Sequence, residues 1–86
     1  MGVLFDDPAF AQFMYWMREN RKNADKINSL INDVQRNGVA KGIGKPERLK
    51  HINGWSRRID QSNRLVYDID ADGNVHIISC QGHYED

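Results

Sequence analysis

The sequence predicts a single α+β domain in which two N-terminal helices pack on one face of an antiparallel β-sheet. Three observations carry this prediction: two stretches with apolar residues at helical spacing, three strand-like stretches that follow them, and tight turns between those strands. The chain has 86 residues, of which 40% are hydrophobic, which is enough for one small core but not for two. We therefore expect residues 1–86 to form one domain.

The first half of the chain is typical of an edge strand followed by two helices. Residues 3–5 form the short apolar strand. Asp7 and Pro8 fit the N-cap and first position of a helix, since Asp accepts amide hydrogens and Pro has none to lose. A second helix is predicted from about Asn23 to a capping glycine at Gly38. The apolar stripes are Phe10, Phe13, Met14 and Met17 in the first helix and Ile27, Leu30, Ile31 and Val34 in the second.

The second half is typical of an antiparallel meander. Residues 38–54 contain four glycines and a proline and are predicted to be a loop. Leu65 and Tyr67 alternate with Arg64 and Val66, which indicates a half-buried strand. The predicted strands are 55–59, 64–70 and 75–80, joined by turns at 60–63 and 71–74. With both helices on one face of this sheet, the opposite face is left for a ligand.

Charge is segregated along a chain whose net charge is zero. Residues 36–64 contain eight Lys and Arg against two Asp and Glu, a net charge of +6, whereas residues 65–86 carry −5. A basic segment of this kind focuses an anionic ligand. An ordinary solvated surface is the alternative.

Metal, cofactor and membrane roles are not expected. Residues 68–73 match the first half of a calcium loop, but its twelfth position is Ser79 instead of a bidentate glutamate. The single cysteine, Cys80, excludes an internal disulfide and a cysteine-based zinc site, and it fits a reducing compartment such as the cytoplasm. No secretory signal and no apolar run of about 20 residues is visible.

A possible catalytic constellation lies in the basic segment and after the last strand. Glu47 is the only carboxylate in the run Gly-Lys-Pro-Glu-Arg-Leu-Lys, residues 44–50. Arg57, Arg58 and Arg64 flank one tight turn, so antiparallel pairing brings Arg58 close to Arg64. The last predicted strand is followed by His83 and Tyr84.

These residue types match the parts that metal-free RNA cleavage requires. A base removes the 2′-hydroxyl proton, cations stabilise the dianionic phosphorane, and an acid protonates the leaving 5′-oxygen. Glu47, the arginines and His83 would fill these roles in that order. Each has a simpler alternative: a surface ion pair for Glu47, phosphate binding without chemistry for the arginines, and an unstructured tail for His83 and Tyr84.

Several motifs together resemble the YoeB/Txe family of bacterial toxins, in the RelE-like superfamily. The motifs are Lys-Pro-Glu-Arg-Leu-Lys-His (45–51), Trp-Ser-Arg-Arg-Ile (55–59), Asn-Arg-Leu-Val-Tyr (63–67) and Cys-x-x-His-Tyr (80–84), with Lys-Ile-Asn-x-Leu-Ile (26–31) in the second helix. The resemblance covers essentially the whole chain in the right order. It implies a RelE-like α+β fold.

The resemblance also implies an activity and partners. The family's toxins are ribosome-dependent mRNA endonucleases held inactive by a cognate antitoxin, here expected to be YefM/Phd-like. Partners are then the ribosome and mRNA, operator DNA only through the antitoxin complex, and a second copy in a homodimer. No cofactor is implied.

Site residues follow from the matched positions. The family's catalytic glutamate matches Glu47, its transition-state arginine matches Arg64, and its C-terminal pair matches His83 and Tyr84. Its supporting phosphate-binding positions match Lys50 and Arg58, and the basic run adds Lys45 and Arg57 to the expected phosphate contacts.

Near its end the chain departs from the pattern. Relatives usually stop at the tyrosine, whereas Glu85 and Asp86 follow here, and Gln81 and Gly82 replace a common basic and aromatic pair. Two other classes stay open: a catalytically silent RNA-binding or co-repressor module, and a small structural subunit that depends on a partner.

Overall fold

The structure is a computed structural model that describes residues 2–83. These residues contain two helices and five strands. In chain order the elements are β1 (Val3–Phe5), α1 (Asp7–Glu19), α2 (Arg21–Asn37), β2 (Glu47–Arg48), β3 (Trp55–Arg58), β4 (Arg64–Ile69) and β5 (Val75–Ser79). The strands form one sheet in the order β1-β5-β4-β3-β2. Within the described residues, no helix is both long and apolar enough to cross a membrane.

Both helices begin close to the predicted positions. α1 begins at Asp7 with Asp6 as its N-cap, one residue earlier than predicted, although the Asp6 side chain makes no capping hydrogen bond. α2 begins at Arg21, two residues before the predicted start at Asn23. The Asn20 side chain caps the helix there, because it accepts a hydrogen bond from the Asn23 amide at 3.3 Å.

The hydrophobic core lies between the helices and one face of the sheet. Alternate residues of β4 and β5 supply this face, as the period of two along a strand requires. The fully buried contributors include Ile27, Leu30 and Val34 of α2 and Leu65, Tyr67, Val75 and Ile77 of the sheet. The predicted apolar stripe of α2 and the alternation of β4 are therefore confirmed.

Strand β1 pairs in parallel with β5, so the sheet is mostly, and not wholly, antiparallel. Val3 lies opposite Val75 and Phe5 opposite Ile77. The predicted edge strand at residues 3–5 is confirmed, and the predicted antiparallel sheet has this one parallel pair at its edge. The physical reason is that the chain between β1 and β5 is long enough for the crossover that parallel pairing requires.

The segment predicted as a loop, residues 38–54, contains a short strand. Glu47 and Arg48 of β2 pair with Ser56 and Trp55 of β3 in antiparallel register. Two residues are too few to show an alternating pattern, which explains why the sequence does not indicate this strand. Its consequence is that Glu47 is attached to the sheet.

The loop that leads from α2 to β2 is built around the buried guanidinium of Arg57. This side chain is 0% exposed, and all of its N–H groups donate to acceptors within the protein. The acceptors are the Tyr67 hydroxyl (2.8 Å), the Asp33 carboxylate, and the backbone carbonyls of Gly38 (2.9 Å), Lys41 (2.7 Å) and Ile43 (3.1 Å). A buried charge persists only when it is paired and hydrogen-bonded in this way.

Close packing of the loop against α2 accompanies these hydrogen bonds. A Cβ atom at Gly42 would stand 1.7 Å from the Oδ2 atom of Asp33, and the φ of Gly42 is +122°. Glycine is required there because no other residue fits both the space and the backbone conformation. The Tyr67 hydroxyl donates to the Val39 carbonyl at 2.7 Å and fixes the start of the loop.

The placement of Arg57 corrects its expected role. A phosphate at the surface has no access to a side chain that is fully buried and whose donors are all occupied. Alternation along β3 explains the difference, since Arg57 faces the core while the adjacent Arg58 is exposed on the other side. Arg57 is a structural residue, and the phosphate-binding set loses one member.

His76 forms a second charged contact, which joins β5 to the start of α1. Its Nε2 atom lies 2.7 Å from Asp6 Oδ1, and its Nδ1 atom lies 3.0 Å from Asp68 Oδ1. Both ring nitrogens must carry a proton to donate to two carboxylates. The hydrogen bond to Asp6, followed by the charges of both carboxylates, raises the pKa of His76 against the opposing effect of partial burial.

We expect Asp33→Ala to lower the free energy of unfolding by about 3 kcal/mol, because it leaves the buried guanidinium of Arg57 without its counter-charge. Denaturant unfolding measures this change. The matched control is Asp25→Ala on the same helix, which removes the exposed ion pair with Arg21 and should cost about 0.5 kcal/mol or less. Equal effects of the two substitutions would contradict the role given to Arg57.

We expect His76 to make the fold slightly more stable at pH 5.5 than at pH 8.5. A raised folded pKa contributes stability that is fully present below the unfolded pKa of about 6.5 and is lost as the pH rises through the folded pKa. The effect is small because Asp6 is 47% exposed and the contact is screened by salt. Denaturation midpoints at the two pH values, measured for the parent and for His76→Asn, test this. A variant with the parent's full pH dependence would contradict the assignment.

Candidate active site

Strand pairing brings Glu47 and Arg64 together on the sheet face opposite the helices. Glu47 lies opposite Ser56, and Arg58 lies opposite Arg64, in the register of β2, β3 and β4. Residues directly opposite one another in a sheet point to the same side, so all four side chains belong to this face. The Nη2 atom of Arg64 is 3.3 Å from the Oε1 atom of Glu47.

The guanidinium of Arg64 is held in place by its neighbours. Its Nε atom donates to the Ser56 hydroxyl at 3.0 Å, and its Nη2 atom lies 3.4 Å from the carbonyls of both Ser56 and Lys45. The Arg64 side chain is only 12% exposed, whereas that of Glu47 is 64% exposed. The site therefore combines an oriented cation with a carboxylate that is open to solvent.

Two further cations border this pair. Lys45 is exposed and has a φ of +53°, in the left-handed region that residues other than glycine rarely occupy. Arg58 is also exposed, and its amide donates to the Gly44 carbonyl at 2.7 Å, which ties the loop to β3. Lys45, through its carbonyl, and Arg58, through its pairing with Arg64, thus lie beside the pair of Glu47 and Arg64.

The other predicted site residues have different positions. Lys50 is exposed in the connection between β2 and β3. His83 is exposed and follows Gly82, whose carbonyl accepts a hydrogen bond from the Arg64 amide at 3.0 Å. His83 is therefore the neighbour of the residue that is hydrogen-bonded to the first residue of β4. Tyr84 and the acidic pair Glu85 and Asp86 lie outside the described residues.

Two polar residues with a part in this geometry were missed by sequence reasoning. Ser56 is only 3% exposed and orients Arg64 through its hydroxyl. Asn63 accepts a hydrogen bond from the Gly82 amide at 2.8 Å. The alternation of β3 places Ser56 on the same face as Arg58, which was the available signal for Ser56. No sequence pattern indicates the contact of Asn63, because it joins residues from two distant parts of the chain.

Other candidate chemistry is accounted for by local structure. Asp70, in the segment that resembles a calcium loop, accepts hydrogen bonds from the amides of Asp72 and Asn74, both at 2.9 Å, and so shapes its own hairpin turn. Burial raises the pKa of the Cys80 thiol to about 12, which makes it a poor nucleophile. Among residues 2–83, no three His, Cys, Asp or Glu side chains are grouped to hold a metal ion.

Comparisons with known proteins agree with the fold and the motifs. The family model of the YoeB-like toxin of bacterial type II toxin–antitoxin systems matches residues 5–84. Toxin RelK of Mycobacterium tuberculosis is 43% identical over 85 residues, which cover 96% of this chain and 98% of RelK. A chain of the RelBE2 toxin–antitoxin complex from the same organism, 24% identical with a TM-score of 0.64, shares the fold.

Two solved structures from Staphylococcus aureus are also close in sequence and fold. One is a YoeB dimer, with a TM-score of 0.91 and 41% identity over 98% of both chains. The other is a heterotetrameric YoeB–YefM toxin–antitoxin complex, with a TM-score of 0.90 and 41% identity over 98% of both chains. The predicted RelE-like α+β fold is confirmed. This chain belongs to the family of YoeB-like toxins of bacterial type II toxin–antitoxin systems.

Proposed function

We propose that this toxin inhibits translation by cleaving mRNA on the ribosome without a metal ion. The observation that carries the proposal is the 3.3 Å contact between the Glu47 carboxylate and the Arg64 guanidinium on an open, basic sheet face. A base beside an oriented cation is the arrangement that attack of a 2′-hydroxyl on its own phosphate requires.

The proposed reaction divides the work among three side chains. Glu47 takes the proton of the 2′-hydroxyl as the 2′-oxygen forms its bond to phosphorus. Arg64 stabilises the dianionic phosphorane. His83 gives a proton to the 5′-oxygen as the bond between phosphorus and that oxygen breaks. The products are a 2′,3′-cyclic phosphate and a 5′-hydroxyl, and Tyr84 is proposed to assist next to His83.

Phosphate binding is proposed for the cations around this pair. Lys45 and Arg58 border it, and Lys50 lies farther along the same basic segment. Such contacts position the RNA backbone without reading its sequence. Because Glu47 is 64% exposed and no wall of the protein closes over it within the described residues, we propose that the ribosome supplies the orientation of the mRNA.

The proposed partners follow from family membership and charge. YefM binds YoeB in the Staphylococcus aureus complex, and we propose a YefM/Phd-like antitoxin here, with operator DNA bound only through that complex. The +6 segment at residues 36–64 suits an acidic antitoxin segment that folds on binding. We also propose a homodimer, as in the Staphylococcus aureus YoeB dimer, and action in the cytoplasm, where ribosomes and mRNA meet.

A catalytically silent RNA-binding or co-repressor module with the same fold is the second candidate. The feature that favours it is the replacement of a basic and an aromatic residue by Gln81 and Gly82 beside His83. The exposed cations would still bind phosphates in such a protein, because that binding needs charge but no acid or base.

We expect Glu47→Gln to reduce the rate of ribosome-bound mRNA cleavage by about a hundred- to ten-thousand-fold, because glutamine keeps the size of the side chain but does not accept the proton. Single-turnover cleavage with purified ribosomes measures the rate. Expression of the parent without antitoxin should arrest growth, and both Glu47→Gln and co-expressed antitoxin should relieve the arrest.

The control for this substitution is Glu19→Gln, an exposed glutamate on α1 that should leave cleavage unchanged. Cleavage by Glu47→Gln at the parent rate would remove Glu47 from the role of base. A parent protein that binds mRNA-loaded ribosomes and leaves the mRNA intact would support the silent module.

We expect cleavage to survive the removal of free divalent metal, since Arg64 and its neighbouring cations supply the positive charge that a metal would otherwise provide. The assay uses EDTA with polyamine-stabilised ribosomes and identifies the 2′,3′-cyclic phosphate by mass spectrometry. Sedimentation must show intact ribosomes, because ribosomes themselves need magnesium. Loss of cleavage while the ribosomes stay intact would refute the metal-free mechanism.

A further inference from the structure

The chain that leaves β5 is held by side chains instead of by strand pairing. At Cys80, immediately after the strand ends, the amide donates to Gln12 Oε1 at 2.7 Å and the carbonyl accepts from Trp16 Nε1 at 2.8 Å. Both partners belong to α1. These two contacts give the backbone at Cys80 the hydrogen bonds that a neighbouring strand would supply.

The backbone is next held at Gly82, by hydrogen bonds to the consecutive residues Asn63 and Arg64. The Gly82 amide donates to Asn63 Oδ1 at 2.8 Å, and the Gly82 carbonyl accepts from the Arg64 amide at 3.0 Å. Gly82 has a φ of +79°, so the chain turns sharply there. His83 is the next residue, and its Cα atom is therefore about 3.8 Å from that of Gly82.

The side chain of Asn63 is itself locked in one orientation. Its Nδ2 atom donates to both carboxylate oxygens of Asp60, at 3.0 and 3.1 Å. A carboxylate only accepts and an amide N–H only donates, so Nδ2 must face Asp60 and Oδ1 must face Gly82. Asp60 is held in turn by the side chain of Asn23 at 2.9 Å and by the amide of Ser62 at 2.8 Å.

We propose that Asn63 is a positioning residue that sets the place of His83 relative to Arg64, an inference that rests on the proposed function. The connection is direct on both sides, since Asn63 is bonded to the residue before His83 and precedes Arg64 in the chain. Asn63 therefore couples the residue that would stabilise the phosphorane to the residue that would protonate the leaving oxygen.

Loss of the contact between Asn63 and Gly82 is expected to have a large effect on the cleavage rate. Glycine has more backbone freedom than any other residue, and without Asn63 the Gly82 turn keeps only its hydrogen bond to the Arg64 amide. A general acid must lie within about 2.6–3.2 Å of the oxygen that it protonates. A misplacement of about 1 Å costs about a hundredfold in rate.

The test compares two mRNA substrates in single-turnover cleavage on ribosomes. One has a natural 5′-oxygen at the scissile phosphate, and the other has a bridging 5′-sulfur. With oxygen, the bond between phosphorus and oxygen breaks and the 5′-oxygen must receive a proton. With sulfur, the bond between phosphorus and sulfur breaks and the group leaves as a thiolate without a proton.

We expect Asn63→Ala to lower the maximal rate about a hundredfold on the oxygen substrate and to stay within about threefold of the parent on the sulfur substrate. His83→Ala should show the same pattern. The control is Asn74→Ala, which removes a side-chain hydrogen bond to Asp70 in the turn between β4 and β5, away from Gly82, and should affect neither substrate strongly.

A readout that does not depend on cleavage accompanies the kinetics. Hydrogen exchange at the Gly82 amide, followed by NMR, should become faster in Asn63→Ala and stay protected in Asn74→Ala. Equal losses on both substrates would reduce Asn63 to a structural residue, and the parent rate on the oxygen substrate, or unchanged exchange, would overturn the proposal. If the parent cleaves neither substrate, the proposed function fails, whereas the exchange result still reports the contact of Asn63.

Discussion

The region that carries the candidate active site depends on the hydrogen bonds of the buried Arg57 guanidinium. The guanidinium links α2 through Asp33, the sheet through Tyr67, and the intervening loop through three carbonyls. None of the residues 38–46 of this loop is fully buried, so hydrogen bonds to one buried cation take the place of a hydrophobic core there. Because every donor is used, the cost of burying the charge is offset and these contacts stabilise the observed conformation of the loop. That conformation delivers Lys45 and Glu47 to the edge of β3.

The open face of the sheet is organised on a different principle. Its charged groups stay partly in water, where an ion pair such as that of Glu47 and Arg64 contributes little to stability. Their arrangement is determined by neighbours that are buried, of which Ser56 is the clearest case. Buried polar groups position exposed charged groups, which is how a small domain presents an ordered site without enclosing it.

The sequence reveals the parts of this fold that depend on local pattern. The α2 stripe and strands β3, β4 and β5 are predictable because their periods extend over several residues. The pairing direction of β1 and the two-residue strand β2 depend on contacts between distant segments. The same limit applies within the site: Glu47 and Arg64 stand out by charge, but which of Arg57 and Arg58 faces the core depends on Asp33, which lies on a helix 24 residues earlier in the chain.

The parallel pairing of β1 with β5 has a consequence for the synthesis of the protein. The hairpins of β3, β4 and β5 form between neighbouring segments, whereas β1 must wait for a strand that follows it by 72 residues, the separation of Val3 and Val75. Contacts between such distant residues carry a high loop-closure entropy and form late in folding. We therefore expect a nascent chain to keep β1 unpaired, and its sheet incomplete, until β5 has been synthesised.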